Sequence, residues 1–486
     1  MGHLKTRHAF RHTGRKSERT MNKMNKGFDY RPENILAVLI GVLLLMSGGL
    51  AAQQKMTLED CINYALEHNI RIKQAKLEVE AAGISSTESR LNMLPSLNGS
   101  VSYSFGWGRS VDMATYQYVD KQTQSSYFNL ASDVTLFGGL QKQEAIKQRR
   151  ADYLAAKYGH DKMQNDISLT VASYYLQILF NRELLSNARA QAEVTRQQIE
   201  RTQLLVEAGT LARGALLEVQ AQGANEEVAI VQAENQLNLA YLDLLQLLEI
   251  EAGTPIEIDL PVLSVDKNPE LLPIQMIFNK AVEAMPEIKS AEMRLKSARH
   301  AYNMAKGNRY PSLGLSASLG TNYSDQIRLS NNPLDPDYNR IKAFEDQWKD
   351  NRSTTLSLRL NVPIFNGYQI SSYVGRSKIN VLNADYNLQL SQNTLRKSVE
   401  AAYADAMAGL STYKAREKSL VSLRESFSYT EQRFNVGMVN AVDYNIAKAQ
   451  LSRAESELLS AKYDYIFKLK ILDFYLGRSL TLADLQ

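Results

Sequence analysis

Two long segments of the chain carry apolar residues at helical spacing and contain no proline. Prolines are missing between Pro95 and Pro255 and again after Pro363. Inside these stretches, residues 141–207 and 368–435 are rich in Ala, Leu, Gln, Glu and Lys. At about 1.5 Å per residue, each segment predicts a helix of roughly 100 Å. Helices of this length are typical of coiled coils and rarely fit inside a globular core.

Shorter helices are predicted on both sides of the long ones. Each long segment runs into a glycine, Gly209 or Gly437, where we expect the chain to turn and return as a second helix. Thr57 and Asp60 have the spacing of a capping box, which marks a further helix start. The predicted shorter helices cover 57–92, 212–248, 272–308 and 441–476.

Four other segments alternate apolar and small polar residues with a period of two, which predicts strands with one apolar face. They are 97–107, 126–137, 312–322 and 353–364, with polar loops at 108–125 and about 322–352. Their length of about 10–12 residues is expected of a tilted strand that crosses a membrane. A small soluble sheet with one wet face is the alternative. In the membrane interpretation, the residues that face lipid are Val101, Tyr103, Phe105, Trp107, Phe128, Leu130, Leu358 and Leu360.

The same unit occurs twice along the chain. Residues 65–97 match 281–313 at an offset of 216, and residues 136–139 match 364–367 at an offset of 228. The difference falls between the paired strands, so the second copy has the longer loop. Such a repeat restricts the possible folds. The predicted repeats, each with helices, two strands, a long helix and a return helix, are 53–251 and 272–486, joined by a linker at 252–271.

The N-terminus has the pattern of an export signal. An apolar run at 35–50 follows Lys23, Lys26 and Arg31 and precedes small residues, which predicts a leader covering 1–52. The whole chain has a formal charge of +4, but the leader holds 9 basic and 3 acidic residues, which leaves 47 against 49. Because the remaining charge is about −2, the composition does not indicate a nucleic acid partner. The one cysteine, Cys61, cannot form an intramolecular disulfide and is expected to be buried.

Four strands cannot close a barrel alone, and unpaired backbone groups at a sheet edge in lipid cost several kcal/mol each. Other copies of the chain must therefore complete the wall. Two copies would supply eight strands and a filled interior, whereas three would supply twelve and leave room for a channel. The small polar residues of the second face favour three copies. The predicted fold class is an α+β membrane protein with a trimeric twelve-stranded barrel, continued by a long α-helical coiled-coil tunnel.

These features resemble the TolC-type outer membrane efflux family, also called outer membrane factors. The resemblance rests on Pro-Ser-Leu before each strand pair, Phe-x-Gly after it, and a turn motif from Arg433 to Asp443. It covers about 56–480. The family implies a homotrimeric conduit in outer membrane lipid that docks a periplasmic adaptor and an inner-membrane transporter of the RND or ABC type. The implied task is drug efflux or type I secretion, with no cofactor.

The resemblance also implies a gate and a docking tip at the helix turns. Asp443 corresponds to an acidic ring position, while the second acidic position holds Ile446 and the basic latch position holds Val439. Arg213 with Glu218 or Asp443 could replace that latch. Alternatively, Asp443 and Asn440 simply cap a helix. The predicted gate residues are Phe434, Val439 and Asp443, and the predicted tip residues are Gly209, Thr210, Leu211, Arg213, Gly437, Met438 and Asn440.

The sequence shows no pattern of an enzyme. Of six histidines, three lie in the leader and the others lack paired ligand spacing, so no metal site is predicted. Phosphate-binding glycine loops and nucleophile motifs are missing as well. The second hypothesis is a structural or adaptor protein, a coiled coil that spans the periplasm without a pore. Such a protein would extract without detergent and conduct no ions.

Overall fold

A computed structural model describes residues 55–111, 116–251, 253–254, 256–259, 261, 263–269, 272–330, 332, 334–338, 340–478 and 480–482. The predicted leader, 1–52, lies outside the described residues. The described residues within 56–254 and 258–482 form one packed unit.

The helices of the first and second halves have corresponding bounds. Under the offsets of 216 and 228 their ends coincide, and the two longest helices each contain 67 residues. The first half contains α1 (Leu58–His68), α2 (Ile70–Leu91), α3 (Gln141–Glu207) and α4 (Arg213–Leu247). The second half contains α5 (Ile274–Ala284), α6 (Pro286–Gly307), α7 (Phe344–Asp350), α8 (Gln369–Asn435) and α9 (Ala441–Tyr475). The short α7, which lies in a predicted polar loop, has no helical counterpart among the described residues of the first half.

Local capping explains several helix starts. Thr57 accepts a hydrogen bond from the Asp60 backbone amide, and Asp60 accepts one from the Thr57 amide, which confirms the predicted capping box. Asn69 caps α2 by accepting from the amides of the next turn. In the second half Pro286 occupies the first helical position, where its missing N–H costs nothing. Different residues therefore start equivalent helices.

An antiparallel sheet of four strands, in the order β1-β2-β3-β4, joins the helices of the two halves. Its strands are β1 (Ser96–Val111), β2 (Tyr118–Gly138), β3 (Ser312–Ser324) and β4 (Ser353–Asn361). The register places Val101 opposite Phe128 and Leu315 opposite Leu358. Because opposed residues share a face, the apolar positions form one continuous surface. Much of that surface is exposed in the chain, including Trp107 at 75% and Leu358 at 65%.

The predicted loop at 108–125 is wrong, because β1 extends to Val111 and β2 begins at Tyr118. Alternation of apolar residues did not reveal this ribbon, since polar side chains support it. Arg109 lies over the Tyr118 ring at 4.7 Å, and the Tyr103 hydroxyl donates to Gln124 over 3.1 Å. Cross-strand contacts of this kind stabilise pairing without an apolar stripe.

Two strand ends also differ from the prediction. β4 stops at Asn361 rather than at residue 364, where Pro363 lacks the N–H that a ladder needs. In β2 a bulge between Thr135 and Phe137 shifts the register by one residue. As a result Phe137, rather than Leu136, lies opposite Leu313.

Helix α7 covers part of the apolar face. The Phe128 ring packs edge-on against the Trp348 ring at 4.5 Å, and Thr321 Oγ1 donates to the Trp348 carbonyl over 2.9 Å. Gln347 is fully buried and bonds both backbone groups of Ser324. The predicted lipid-facing residue Phe128 is therefore partly covered by its own chain.

Two glycines allow the exit of β2 to pass close to the end of α6. Gly139 has a left-handed φ of +62°, and a Cβ built there would lie 2.2 Å from the Gly307 carbonyl oxygen. A Cβ on Gly307 would lie 2.6 Å from the Gly139 carbonyl oxygen. The glycine of the Phe-x-Gly pattern is therefore needed because the backbones at Gly139 and Gly307 pass too close to each other to admit a side chain. The equivalent Gly367, with φ +58°, meets no atom within 4 Å in this chain.

Candidate functional site

Both long helices end in the same hydrogen-bonded turn. After α3, the Gly209 amide donates to Val206 O and the Thr210 amide donates to Leu205 O. After α8, the Gly437 and Met438 amides make the equivalent bonds to Phe434 O and Arg433 O. The glycines have φ of +74° and +76°, so these are Schellman stops in which glycine avoids backbone strain. The predicted glycine turns are confirmed.

The two return helices start differently. Asn440 Oδ1 accepts a hydrogen bond from the Asp443 amide over 2.8 Å at the start of α9. Ala212, at the start of α4, offers no side-chain cap. The Asp443 carboxylate is exposed in the first turn of α9, where its negative charge interacts favourably with the positive end of the helix dipole. Local capping by Asn440 is therefore confirmed, and the Asp443 carboxylate itself is exposed.

An aromatic stack supports the second turn. The rings of Phe434 and Tyr444 stack at 4.6 Å, and Phe427 lies 5.5 Å from Tyr444. Tyr444 is 3% exposed, and burial raises the pKa of its hydroxyl to about 12. Phe434 thus contacts the opposite helix of its own hairpin. Met438 projects from the turn at 72% exposure, whereas Val439 is half-buried.

The hairpin formed by α3 and α4 is linked to the hairpin formed by α8 and α9 through a buried lysine, Lys448. This residue lies about two helical turns after the start of α9. Lys448 Nζ lies 3.3 Å from Glu226 Oε1 on α4. It also donates to Gln191 O over 3.3 Å and to Thr195 Oγ1 on α3. Lys448 is 3% exposed and Glu226 is 8% exposed, so this ion pair is almost dry. Burial lowers the pKa of Lys448, and the Glu226 carboxylate opposes that shift.

The ion pair is incompletely hydrogen-bonded on its acidic side. Gln222 donates to Glu226 Oε1 over 3.0 Å, but Glu226 Oε2 is buried with no hydrogen-bond partner in the described part of the chain. Nearer the turn, Arg201 donates to Asn435 Oδ1 over 2.7 Å and makes a second bond between hairpins. The described ion pairs do not include the bond expected of Arg213 with Glu218 or Asp443, all of which are exposed.

Sequence reasoning missed Lys448 and Glu226. Its spacing could have indicated that Lys448 is buried, because it follows Tyr444 by four residues and therefore lies on the same face of α9. A lone charge on a buried helical face requires a partner, but the sequence does not say which helix supplies it. The predicted gate and tip residues do lie together at the two turns, while their action as a gate stays a prediction.

Within the described residues, no group of His, Cys, Asp and Glu could hold a metal ion. Across the same residues, none of the helices combines the length and apolar character needed to traverse a bilayer.

Comparisons with known proteins agree with this architecture. The model of a family described as outer membrane efflux protein matches residues 61–248 and 277–478. The chain is 24% identical over 445 residues to outer membrane protein TolC of Escherichia coli strain K12, covering 89% of this chain and 84% of TolC. It is 25% identical over 441 residues to the alkaline protease secretion protein AprF of Pseudomonas aeruginosa, covering 88% and 85%. The fold is similar to that of CusC, with a TM-score of 0.72, 19% identity, and coverage of 87% and 92%.

Proposed function

Because the chain belongs to the outer membrane efflux protein family, we propose that it forms the passive outer membrane duct of a tripartite efflux or type I secretion system. Like its relatives it is an outer membrane protein that extends into the periplasm. AprF is named for protease secretion, whereas SrpC and TtgI of Pseudomonas putida are named for solvent and toluene efflux. Either task fits the proposed duct, and in both the energy comes from an inner-membrane transporter.

The sheet carries this proposal. Its apolar face is exposed through residues such as Val101, Leu358 and Leu360, at 71%, 65% and 64%. The opposite face presents small polar side chains, and among the described residues both outer strands, β1 and β4, have one edge that pairs with no further strand. Lipid on one face, water on the other and further copies at both edges account for all three features. Three copies supply twelve strands and a lumen wide enough for a channel.

The turns of α3–α4 and α8–α9 form the periplasmic end of the proposed duct. Phe434, Val439 and the exposed Asp443 carboxylate lie at this end, so three copies would bring three carboxylates around the axis. Lys448 and Glu226 hold the second hairpin against the first near this constriction. An iris-like opening would need the hairpins to move apart, which would break this pair.

The exposed turn residues are proposed as the docking tip for a helical adaptor. Met438 and Thr210 are exposed beside the glycine stops, and Leu211 is half-buried. Arg213 and Asn440 add polar groups at the rim. A shallow apolar surface with a polar edge is suited to a helical hairpin.

Membrane fractionation, native mass measurement and bilayer conductance test the duct. We expect a detergent-extracted trimer that conducts ions. A monomer that extracts without detergent and conducts nothing would instead establish the alternative of a periplasm-spanning structural or adaptor protein without a pore.

Conductance of the Asp443→Asn variant tests the gate. We expect weaker cation selectivity and weaker block by divalent ions, because the charge ring is removed while Asn440 can still cap α9. Asp405→Asn, an exposed acid in the middle of α8, is the matched control and should conduct like the wild type. Equal behaviour of the two variants would remove Asp443 from the gate.

Site-specific crosslinking tests the docking tip. A Met438→Cys variant carrying a short crosslinker should capture a periplasmic adaptor in cells with active efflux, since the side chain is exposed at the turn. Ser411→Cys, exposed on α8 about 40 Å from that turn, is the control. Capture at residue 411 but not at 438 would contradict docking at the turn.

A further inference from the structure

We propose that the polar face of the sheet carries a binding site for small organic anions, formed by Arg359 of β4 and Lys142 of α3 around the open floor at Gly314. The site lies at the end of the strands that joins the helices. Its role in transport rests on the proposed duct, in which this face lines the lumen, but the site itself is complete within one chain. The ligand class is a solute that carries two or more carboxylates.

A cleft of about 580 Å³ lies at this end of the sheet. The strand register places Ser96 opposite Asp133 and Asp133 opposite Ser316, and it places Thr135 opposite Gly314 and Gly314 opposite Arg359. Opposed residues share a face, so all six lie on the polar face, and all six line the cleft. The end of α2 and the start of α3 close the cleft on its other side through residues that include Asn92 and Lys142.

Two basic side chains of the cleft can bind an anion. Arg359 is exposed, and it makes no hydrogen bond or ion pair with the described residues. Its guanidinium group presents paired N–H donors in a geometry that matches a carboxylate. Lys142 Nζ donates to Asn92 O over 2.6 Å, which holds the ammonium group at the cleft. Two of its three N–H donors are left without a partner among the described residues.

One carboxylate, Asp133, also lines the cleft, but it does not neutralise Arg359. Ser316 lies between Asp133 and Ser357, and Arg359 follows Ser357 by two residues on β4. With about 4.8 Å between strands and about 3.4 Å per residue, the Cα atoms of Asp133 and Arg359 are about 12 Å apart. This separation exceeds the Debye length of about 8 Å at physiological salt. Two cations therefore face one acid across the cleft.

Gly314 leaves the floor of the cleft open between Thr135 and Arg359. A Cβ built at Gly314 would meet only Val134 O, at 3.9 Å, which is an ordinary contact. Neither backbone conformation nor crowding therefore requires a glycine at this position. Glycine inside a strand weakens the strand and often marks a place where a ligand approaches the backbone. A ligand above Gly314 would also reach the Thr135 and Ser316 hydroxyl groups.

The repeat within the chain does not reproduce this site. Subtracting 228 from 359 gives Ala131, and adding 228 to 142 gives Ile370. The equivalent strand and helix therefore form without these two charges, so the fold does not require them. A ligand explains why an exposed arginine without a partner lies on a face of mostly small polar residues.

In the proposed duct the site lies on the lumen side, where the helices give way to the strands. Three copies would place three Arg359 guanidinium groups around the lumen, whereas Asp443 would place carboxylates at the turn end. A wall lined by one sign of charge raises the local concentration of solutes of the opposite sign. The inferred substrate class is therefore anionic.

Calorimetry with citrate, a small tricarboxylate, tests the site in the detergent-purified protein. The wild type should bind citrate, and binding should weaken between 0.15 M and 1 M salt because the Debye length falls from about 8 Å to about 3 Å. Arg359→Gln should bind about fivefold more weakly, the loss expected of one exposed ion pair. Asp133→Asn should bind more tightly, since it removes a repelling charge.

Two further variants separate a site from a general attraction. Arg309→Gln makes the same charge change at an exposed residue that precedes β3 and does not line the cleft, so it should bind citrate like the wild type. Gly314→Val fills the floor without changing the charge and should weaken binding, with circular dichroism as the check on its fold. A wild type that does not bind citrate overturns the site. Equal losses in Arg359→Gln and Arg309→Gln also overturn it, as does full binding by a folded Gly314→Val.

Bilayer conductance separates the fate of the site from that of the duct. Citrate should reduce the current through the wild type more than the current through Arg359→Gln. A chain that binds citrate through Arg359 but forms no conducting trimer keeps the site and loses the duct. A conducting trimer that binds no citrate keeps the duct and loses the site. If citrate binds but leaves the current unchanged, the site does not face the lumen and the anionic substrate class is wrong.

Discussion

The two ends of the long helices are held by different kinds of contact. At the strand end, the exit of β2 and the end of α6 cross at Gly139 and Gly307, with no room for a side chain. At the turn end, the halves meet through the buried charge pair of Lys448 and Glu226. A close backbone crossing permits little movement, because interiors are densely packed. A single ion pair can be exchanged for water when the hairpins separate.

This difference bears on the gate proposed above. Opening at the strand end would disturb the glycine crossing and the sheet together, whereas opening at the turn end would break the contacts of Lys448 and the hydrogen bond from Arg201 to Asn435. The cost of burying Lys448 is recovered only while Glu226, Gln191 and Thr195 stay aligned. The proposed gate needs a strand end that stays fixed and a turn end whose polar contacts can separate, and whether the turn end does separate is a prediction.

Lys448→Met should have the largest effect on this comparison. Removing the lysine leaves the Glu226 charge buried, which costs about 3–5 kcal/mol. We expect a lower unfolding midpoint by circular dichroism and faster hydrogen exchange near the turn. The double variant Lys448→Met with Glu226→Met removes both charges and should recover most of the loss. If the single and double variants unfold alike, the pair does not hold the turn end.

Gly307→Ala should act at the other end. The added methyl group would meet Gln141 Cγ at 2.5 Å and the Gly139 carbonyl oxygen at 2.6 Å. Overpacking of this kind costs about 1–3 kcal/mol, measured as a lower thermal midpoint. The control is Gly159→Ala, where nothing lies within 4 Å and better helix propensity should add up to about 1 kcal/mol. Equal midpoints for the two variants would mean that the crossing is loose.

A pH titration sharpens the description of the strand end. Burial alone would raise the pKa of Glu144, but hydrogen bonds from Lys147, His300 and Asn303 lower it to about 2. A carboxyl whose folded pKa lies below its unfolded value stabilises the fold above the unfolded pKa, which is about 4.3 for Glu. That contribution is lost as the pH falls from about 4.3 toward 2. In the Glu144→Gln variant the thermal midpoint should therefore change less with pH over this range than in the wild type. An unchanged slope of the midpoint against pH would contradict this role of Glu144.

Asn440→Ala should have the smallest effect on stability, and that effect should be confined to the turn between α8 and α9. Loss of the bond to the Asp443 amide costs about 1 kcal/mol. We expect roughly fivefold faster hydrogen exchange at the start of α9, since 1.4 kcal/mol corresponds to tenfold. Ala212→Ser, which introduces a cap at the first turn, should slow exchange at the start of α4. A spread of the Asn440→Ala effect as far as Lys448 would show that the cap and the ion pair are coupled.

The helices could be predicted closely because their signals are local. Thr57, Pro286, Gly209 and Gly437 each act through their own backbone conformation or a bond within one turn. The predicted bounds of α3 coincide with the observed Gln141–Glu207. The strands were harder to predict, since β2 begins at Tyr118 through cross-strand contacts that involve Arg109 and Gln124. Such contacts become visible only after the register is known.

By itself the sequence determined the repeat, the long helices, the glycine stops and the alternation of the strand faces, because these depend on residues a few positions apart. Only the tertiary structure decided the bulge at Thr135, the cover of Phe128 by α7, the crossing of Gly139 with Gly307, and the choice of Glu226 as partner of Lys448. These features join residues that lie far apart in the chain. Which distant groups meet depends on how all the elements pack together, and no local pattern contains that information.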